Sequence, residues 1–424
     1  MNFENILVVG LGYIGLPTSA MFASRKKQVL GVDINPSTID TINQGKIHIV
    51  EPDLDMIVHA AVSEGYLQAS LSPHPADAFL IAVPTPFKSV EQTEIPTPDL
   101  SYIESSINAI APILKKGDLV VLESTSPVGT TEQIRDWLAR LRPDLKMPYE
   151  DCGGQDVFIA HCPERVLPGH VVRELVENDR VIGGITPDCS KRAVALYEIF
   201  VRGNCIVTNA RTAEMAKLTE NSSRDVQIAF ANELSMICDS LDIDVWELIA
   251  LANRHPRVNI LQPGPGVGGH CIAVDPWFIV ARSPKLAQLI RVAREVNISK
   301  PQWVIDKVKV AVTDWLIANP TKSLSELTVA CYGLSFKPNI DDIRESPALE
   351  IAIKMSNEFG CKVVSTDPYV GRVDSQDFII DIVNWKGEWL NADIHVLLVK
   401  HDEFLQSQPL DGLIIDTTGA WREF

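Results

Sequence analysis

The stretch Ile6-Leu7-Val8-Val9-Gly10-Leu11-Gly12-Tyr13-Ile14-Gly15 decides the fold. Four apolar residues, three of them β-branched, form a short strand, and three glycines follow at once in GxGxxG spacing. Residues 16–26 carry a helical pattern, Val29–Val32 a second strand, and Asp33 closes it. A strand that runs through a glycine turn into a helix opens a doubly wound sheet built around a dinucleotide. Gly10, Gly12 and Gly15 permit the tight turn, and with Tyr13 and Ile14 they bring backbone amides up to a pyrophosphate at a helix N-terminus. Asp33 accepts from ribose hydroxyls and repels a 2′-phosphate. Since Ile34 and Asn35 rather than an arginine follow it, NAD is favoured over NADP, with FAD as the rival ligand.

Outward from this stretch the chain keeps alternating. Apolar runs at Phe79–Val83, Leu119–Leu122 and Val157–Ala160 fit further parallel strands, separated by helical segments such as Ser101–Leu114. Val83-Pro84-Thr85-Pro86 and Ser124-Thr125-Ser126-Pro127-Val128-Gly129-Thr130-Thr131 follow strand ends, where a ligand crevice lies. Pro84, Thr85, Thr125 and Thr131 are therefore candidate cofactor residues, although such hydroxyls equally serve as caps. From Thr212 to Asn253 apolar residues recur at helical spacing, and 285–317 reads as a long helix with a break or kink at Pro301. Leu327–Tyr332, Lys362–Val364, Ile394–Val399 and Leu413–Ile415 mark a second α/β unit. The expected class is α/β: a Rossmann-like domain at 1–208, a central helical domain at 209–318, and a second Rossmann-like domain at 319–424.

The chain has 424 residues, enough for two or three domains at about 150 each. With 46% apolar and 22% charged residues it is a globular chain rather than a disordered one. Its net charge of −17 argues against nucleic acid and anionic membrane as partners. No apolar run approaches the roughly 18 residues that a membrane span needs. No signal peptide is visible, which together with scattered cysteines implies a reduced, cytoplasmic setting. The eight cysteines form no CxxC pair, and no metal site is expected.

One cysteine stands apart. Gly264-Pro-Gly-Val-Gly-Gly-His270-Cys271 places Cys271 at the end of a loop of small and rigid residues, where a thiol near exposed amides is open to activation as a nucleophile. A small apolar core residue after a turn is the plainer alternative. Asp275 lies four residues on. On the preceding helix Lys217, Asn221 and Arg224 share one face at i, i+4 and i+7, a set suited to an oxyanion or carboxylate, or else to a solvated polar face. Two further polar clusters are Glu164-Arg165, after a strand end, and Arg254-His255-Pro256-Arg257, before the glycine loop.

These segments, GLGYIGLP at Gly10, VPTP at Val83, ESTSPVGTT at Glu123, CPERVLPG at Cys162, EMAKLTEN at Glu214, PGVGGHCIAVDP at Pro265 and GLSFKPNIDDIRES at Gly333, stand in the order of the nucleotide-sugar 6-dehydrogenases that act on UDP-glucose and GDP-mannose. The chain resembles that family over nearly its whole length. HIVEPDL at His48 and the forms around Cys162 and Cys271 are most similar to the branch acting on UDP-N-acetyl-D-mannosamine, for bacterial surface polysaccharides such as the enterobacterial common antigen.

The resemblance implies a four-electron, NAD-dependent oxidation of a sugar C6 alcohol to the acid. Cys271 would carry thiohemiacetal and thioester, Lys217 with Asn221 would stabilise oxyanion character, and Asp275, Glu164 or water would handle protons. It implies that Arg165, Val166, Lys217, Asn221, Arg224, His255, Arg257, Gly264, Phe336 and Lys337 hold the UDP-sugar. Arg344 would reach the NAD side, and Arg257 the neighbouring site of a homodimer. A second glutamate of the UDP-glucose enzymes is replaced here by Pro168, so its role does not transfer. Other nucleotide sugars (UDP-glucose, UDP-N-acetylglucosamine, UDP-N-acetylgalactosamine, GDP-mannose) remain alternatives, as do a two-electron hydroxyacid dehydrogenase and a non-enzymatic sensor.

Overall fold

The computed structural model describes residues 3–49, 51–88, 95–149, 154–166, 169–269, 271–371, 380–406 and 408–421. The chain divides into two compact units, 1–220 and 221–424.

The first unit begins β1 (Asn5–Val9), α1 (Gly15–Ser24), β2 (Gln28–Val32), α2 (Pro36–Asn43), α3 (Leu54–Ser63) and β3 (Leu67–Ser70). It continues through β4 (Ala78–Ile81), α4 (Ser101–Ile110), β5 (Leu119–Leu122), α5 (Thr130–Leu141) and β6 (Phe158–His161). It closes with α6 (Val171–Glu177), β7 (Arg180–Gly184), α7 (Pro187–Tyr197) and β8 (Cys205–Asn209). One sheet results, ordered β3-β2-β1-β4-β5-β6-β7-β8. All neighbours are parallel except β6 and β7. The apolar runs are continuous because both faces are covered. Ile6 and Val8, Ala78 and Leu80, Leu119 and Val121 pack on one side with α1. Leu7, Phe79, Ile81, Val120 and Leu122 pack on the other with Ile103, Ile107, Ile134 and Leu138 of α4 and α5.

Helix α8 (Ala210–Ser240) crosses the boundary between the units. The second unit adds α9 (Val245–Ala252), α10 (Asp275–Arg282), α11 (Gln288–Ala318), β9 (Thr328–Tyr332) and α12 (Pro347–Glu358). It ends with β10 (Lys362–Asp367), β11 (Asp381–Asn384), β12 (Ile394–Leu397) and β13 (Leu413–Asp416) in an all-parallel sheet ordered β11-β10-β9-β12-β13. Val304, Ile305 and Val308 of α11 pack on one face of that sheet with α12. On the other face Tyr332, Phe404 and Trp421 form an aromatic cluster.

The α/β class, with a Rossmann-like sheet in each unit and a helical stretch between the two sheets in sequence, is the one expected. Of the break or kink expected at Pro301 there is no break: α11 runs through it. Its flanks hold it in the helix, for Asn297, Lys300, Val304, Ile305 and Val308 are all buried. Among the described residues, no helix is long and apolar enough to cross a membrane.

Candidate active site

In the first sheet the order reverses between β1 and β4, so the loops after these strands flank a crevice at their carboxyl ends. Gly10 has φ +91°, and a Cβ there would meet the Ala82 carbonyl oxygen at 2.6 Å. A Cβ on Gly15 would collide with the Gly10 carbonyl, whereas one on Gly12 would meet nothing within 4 Å. Gly10 and Gly15 thus serve the turn, and exposed Gly12 leaves a cradle. Half-buried Tyr13 and Ile14 lead into α1, which has no acidic residue in its first turn. At the end of β2 the Asp33 carboxylate accepts from the Leu11 amide (2.9 Å) and the Asn35 amide (3.0 Å), which aims a half-exposed acid at the crevice. This set fits a dinucleotide with unmodified ribose. Burial pulls His48 below its ordinary value, against the pull of Asp33.

The loops after β4 and β5 hold each other, the Thr85 hydroxyl donating to the Thr125 carbonyl at 2.7 Å. Pro84 is exposed beside them. Thr131 is fully buried, and its amide and hydroxyl both donate to one oxygen of Glu214, at 2.7 and 2.6 Å. The Gly129 amide donates to the other oxygen at 2.6 Å. Thr131 therefore fastens α8 one turn before Lys217.

After β6 the chain enters Cys162–Val166. Glu164 is 7% exposed, with one oxygen on the Arg165 amide (2.7 Å) and the other on the Arg180 guanidinium (2.7 Å). A carboxylate held by two donors shapes its loop. Burial pushes the neighbouring Glu123 carboxyl up to about 7, opposed by Arg180 and by the Tyr197 hydroxyl, which donates to it at 2.6 Å. The Arg165 guanidinium pairs with Glu220 on α8 (2.7 Å), one turn after half-buried Lys217. Val166 is half-buried. Pro168 lies outside the described residues, as do His270 and Cys152.

In the second unit Asn221 donates to Asp275, which is 3% exposed at the start of α10. Cys271 is the exposed member among the described cysteines, and its carbonyl accepts from the Val274 and Asp275 amides (3.1 and 2.9 Å). By contrast, burial drives Cys162 and Cys331 up to about 12, the behaviour of packing thiols. The start of the glycine loop is anchored where the Gly264 amide donates to Asn232 at 2.9 Å. Asn232 donates to Asn297 (2.9 Å), Asn297 to Asp225 (2.8 Å), and Arg294 also pairs with Asp225 (2.7 Å), all four side chains buried. Further along, a Cβ on Gly269 would stand 3.0 Å from the Phe336 ring, and the Gly269 amide donates to the Arg344 carbonyl at 3.2 Å. The cysteine loop therefore packs on the loop that carries Phe336 and Lys337. The Arg344 guanidinium pairs with Asp342. Arg224, His255 and Arg257 are exposed.

Comparison with known proteins accords with these features. The UDP-glucose/GDP-mannose dehydrogenase family matches in three parts: its NAD binding domain at 4–201, its central domain at 211–299 and its UDP binding domain at 330–423. An NDP-N-acetyl-D-galactosaminuronic acid dehydrogenase of Ralstonia nicotianae is 60% identical over 424 residues, covering 99% of this chain and 97% of its own. The UDP-N-acetyl-D-mannosamine dehydrogenase of Escherichia coli is 58% identical over 429 residues and 100% of both chains. The solved UDP-N-acetyl-mannosamine dehydrogenase of Staphylococcus aureus is 42% identical with a TM-score of 0.84, covering 99% of this chain and 96% of that one. The chain belongs to the UDP-glucose/GDP-mannose dehydrogenase family and is an NAD-dependent nucleotide-sugar dehydrogenase.

Proposed function

We propose that the chain oxidises C6 of UDP-N-acetyl-D-mannosamine to the uronate, as a cytoplasmic homodimer supplying surface polysaccharide such as the enterobacterial common antigen. The full-length likeness to mannosamine dehydrogenases carries the substrate; the exposed Cys271 beside a part-buried Asn221–Asp275 pair supports the chemistry. The same reading gives 1–208 to NAD, 209–318 to the helical dimer core and 319–424 to UDP. Gly10, Gly12, Gly15 and Asp33 would hold NAD, which when bound takes hydride from the sugar carbon.

Lys217 and Asn221 stabilise negative charge on the reacting oxygen, and Asp275, held by Asn221, handles the proton. The Cys271 thiolate adds to the aldehyde as a thiohemiacetal, loss of its hydride to a second NAD would leave the thioester, and water cleaves the thioester to the carboxylate, freeing the thiolate. Alcohol to acid removes four electrons, hence two NAD per sugar. Arg165, Val166, Arg224, His255, Gly264, Phe336 and Lys337 would bind the UDP-sugar, with Arg257 reaching the partner subunit's site and Arg344 the NAD side.

The likeness to galactosaminuronic acid dehydrogenases favours UDP-N-acetylgalactosamine as the second reading. The test is NADH formed to completion from limiting UDP-N-acetylmannosamine, UDP-N-acetylgalactosamine and UDP-glucose. Two NADH per mannosamine sugar and little from the others is expected. Two from the galactosamine sugar alone would overturn the substrate, and one per sugar the covalent mechanism.

A further inference from the structure

The two units repeat one construction. Gly10 (φ +91°) donates to the Val32 carbonyl at 2.8 Å, and Gly333 (φ +89°) to the Thr366 carbonyl at 2.9 Å. The next amide in each case donates to an acid at the end of the neighbouring strand: Leu11 to Asp33 (2.9 Å), Leu334 to Asp367 (2.7 Å). Beyond this point they diverge. Asp33 stays half-exposed, whereas Asp367 is 3% exposed and also accepts from the Tyr369 and Val370 amides (2.8 and 2.9 Å). The acid that reads a ribose in the first unit is consumed internally in the second.

Its remaining partner is His401, fully buried just beyond β12, with Nε2 at 3.1 Å from the same Asp367 oxygen that accepts from Leu334. The other ring nitrogen, Nδ1, lies 3.0 Å from the Asn339 amide. A backbone N–H only donates, so Nδ1 carries the lone pair and the proton sits on Nε2, pointing at Asp367. Asn339 itself, at φ +63°, accepts from the Asp402 amide at 3.0 Å. Between these ties the Ser335 hydroxyl donates to the Lys337 carbonyl at 2.8 Å. The loop 333–339 is thus fastened at one end to Asp367 and at the other to His401 and Asp402. Phe336 and Lys337 ride on the span between them, at the point where the second sheet reverses its order between β9 and β12.

We propose that His401, fixed as its Nε2–H tautomer by Asp367, is the positioning residue of the UDP-binding loop and sets where Phe336 and Lys337 meet the nucleotide. This rests on the reading that residues 333–339 bind UDP. Nothing in the role requires His401 to touch the ligand or exchange a proton. It keeps the loop in one place before UDP arrives, so that binding does not have to order it.

The test uses the full-length enzyme with His401→Phe, which keeps the ring packing against Phe404 and Tyr369 but removes both polar ties, and with His401→Gln, which can keep only one. UDP and NAD affinities are measured by calorimetry, and kcat and KM by NADH formation. For His401→Phe the Kd for UDP and the KM for the UDP-sugar should rise roughly fivefold to tenfold, with the Kd for NAD and kcat held within about twofold. His401→Gln should fall between, and it decides the matter if the phenylalanine variant does not fold. Nitrogen NMR of the wild type should show Nε2 protonated and Nδ1 not. Unchanged UDP affinity in both variants, equal losses for UDP and NAD, or the opposite tautomer would each overturn the proposal. Wild-type enzyme that does not bind UDP would instead overturn the functional reading beneath it.

Discussion

Glu123 makes the sharpest prediction, because its site combines burial with a countable charge balance. It is 2% exposed at the end of β5, near one cation, Arg180, which Glu164 already engages at 2.7 Å. Burial raises its carboxyl from an ordinary 4.5 to about 7. Below both values the group is protonated in native and unfolded chains alike, and stability is unaffected. As pH rises through the interval, the unfolded chain releases its proton and the native chain keeps it, so stability falls until pH passes the native value. Between about pH 5 and pH 8 this removes about 2.5 kcal/mol. Glu123→Gln resembles the protonated acid and still offers an oxygen to Tyr197, so it should escape the loss. Thermal melts of the two proteins across this range should show the variant gaining on the wild type by roughly 5–10 °C between about pH 5 and pH 8, at the usual few degrees per kcal/mol for a unit this size. A gap between the curves that stays constant with pH would refute the assignment.

Three further outcomes are expected. Cys271→Ser should abolish net uronate formation while the Kd values for UDP and NAD stay within about twofold, since the side chain is exposed; calorimetry and product analysis check this. Asn232→Leu strands the Gly264 amide and the Asn297 carbonyl oxygen, costing about 2–4 kcal/mol in denaturant unfolding, with a higher KM for the UDP-sugar as the loop start loosens. Asp33→Ser should weaken NAD about tenfold or more and narrow the preference over NADP, read from KM values for the two cofactors.

Strands β1, β2, β4 and β5 were legible because burial on both faces writes a continuous apolar run. Strand β3 alternates buried and exposed, with Gln68 and Ser70 breaking its apolar run, and β7 carries Gly183 and Gly184, which look like a turn. Those glycines are there for space: a Cβ on Gly183 would strike the Asn209 carbonyl, and one on Gly184 the Ser190 amide. The glycine cradle and the cysteine loop were legible for a related reason, since local backbone demands leave local composition. The partners that hold them were not. Glu214 meets Thr131, Glu164 meets Arg180, Asn232 meets Gly264 and His401 meets Asp367 across intervals with no period. A carboxylate whose donors are backbone amides leaves no residue type at the other end to recognise. At Pro301 the converse holds, a strong local breaker being overruled by packing on both sides.

Thr131 shows how an internal carboxylate can occupy the amides at a helix start. Helix α5, like α1, follows a strand and a glycine turn, and its N-terminal amides attract an anion in the same way. Glu214 supplies that anion from within, on the Gly129 and Thr131 amides. At α6 Glu51 does the same, accepting from Gly169 at 2.9 Å and Val171 at 2.7 Å. Each internal carboxylate binds a loop to a distant segment and takes the place an external phosphate would need. Helix α1 has no acid in its first turn and opens on the exposed Gly12. A chain of net charge −17 can therefore hold an anionic cofactor at this end, because the amides and the helix dipole act over a few ångströms while the net charge is screened beyond about 10 Å. What the strand-glycine-helix pattern specifies is an anion site; whether the anion is a ligand or a glutamate depends on which side chains the rest of the fold delivers there.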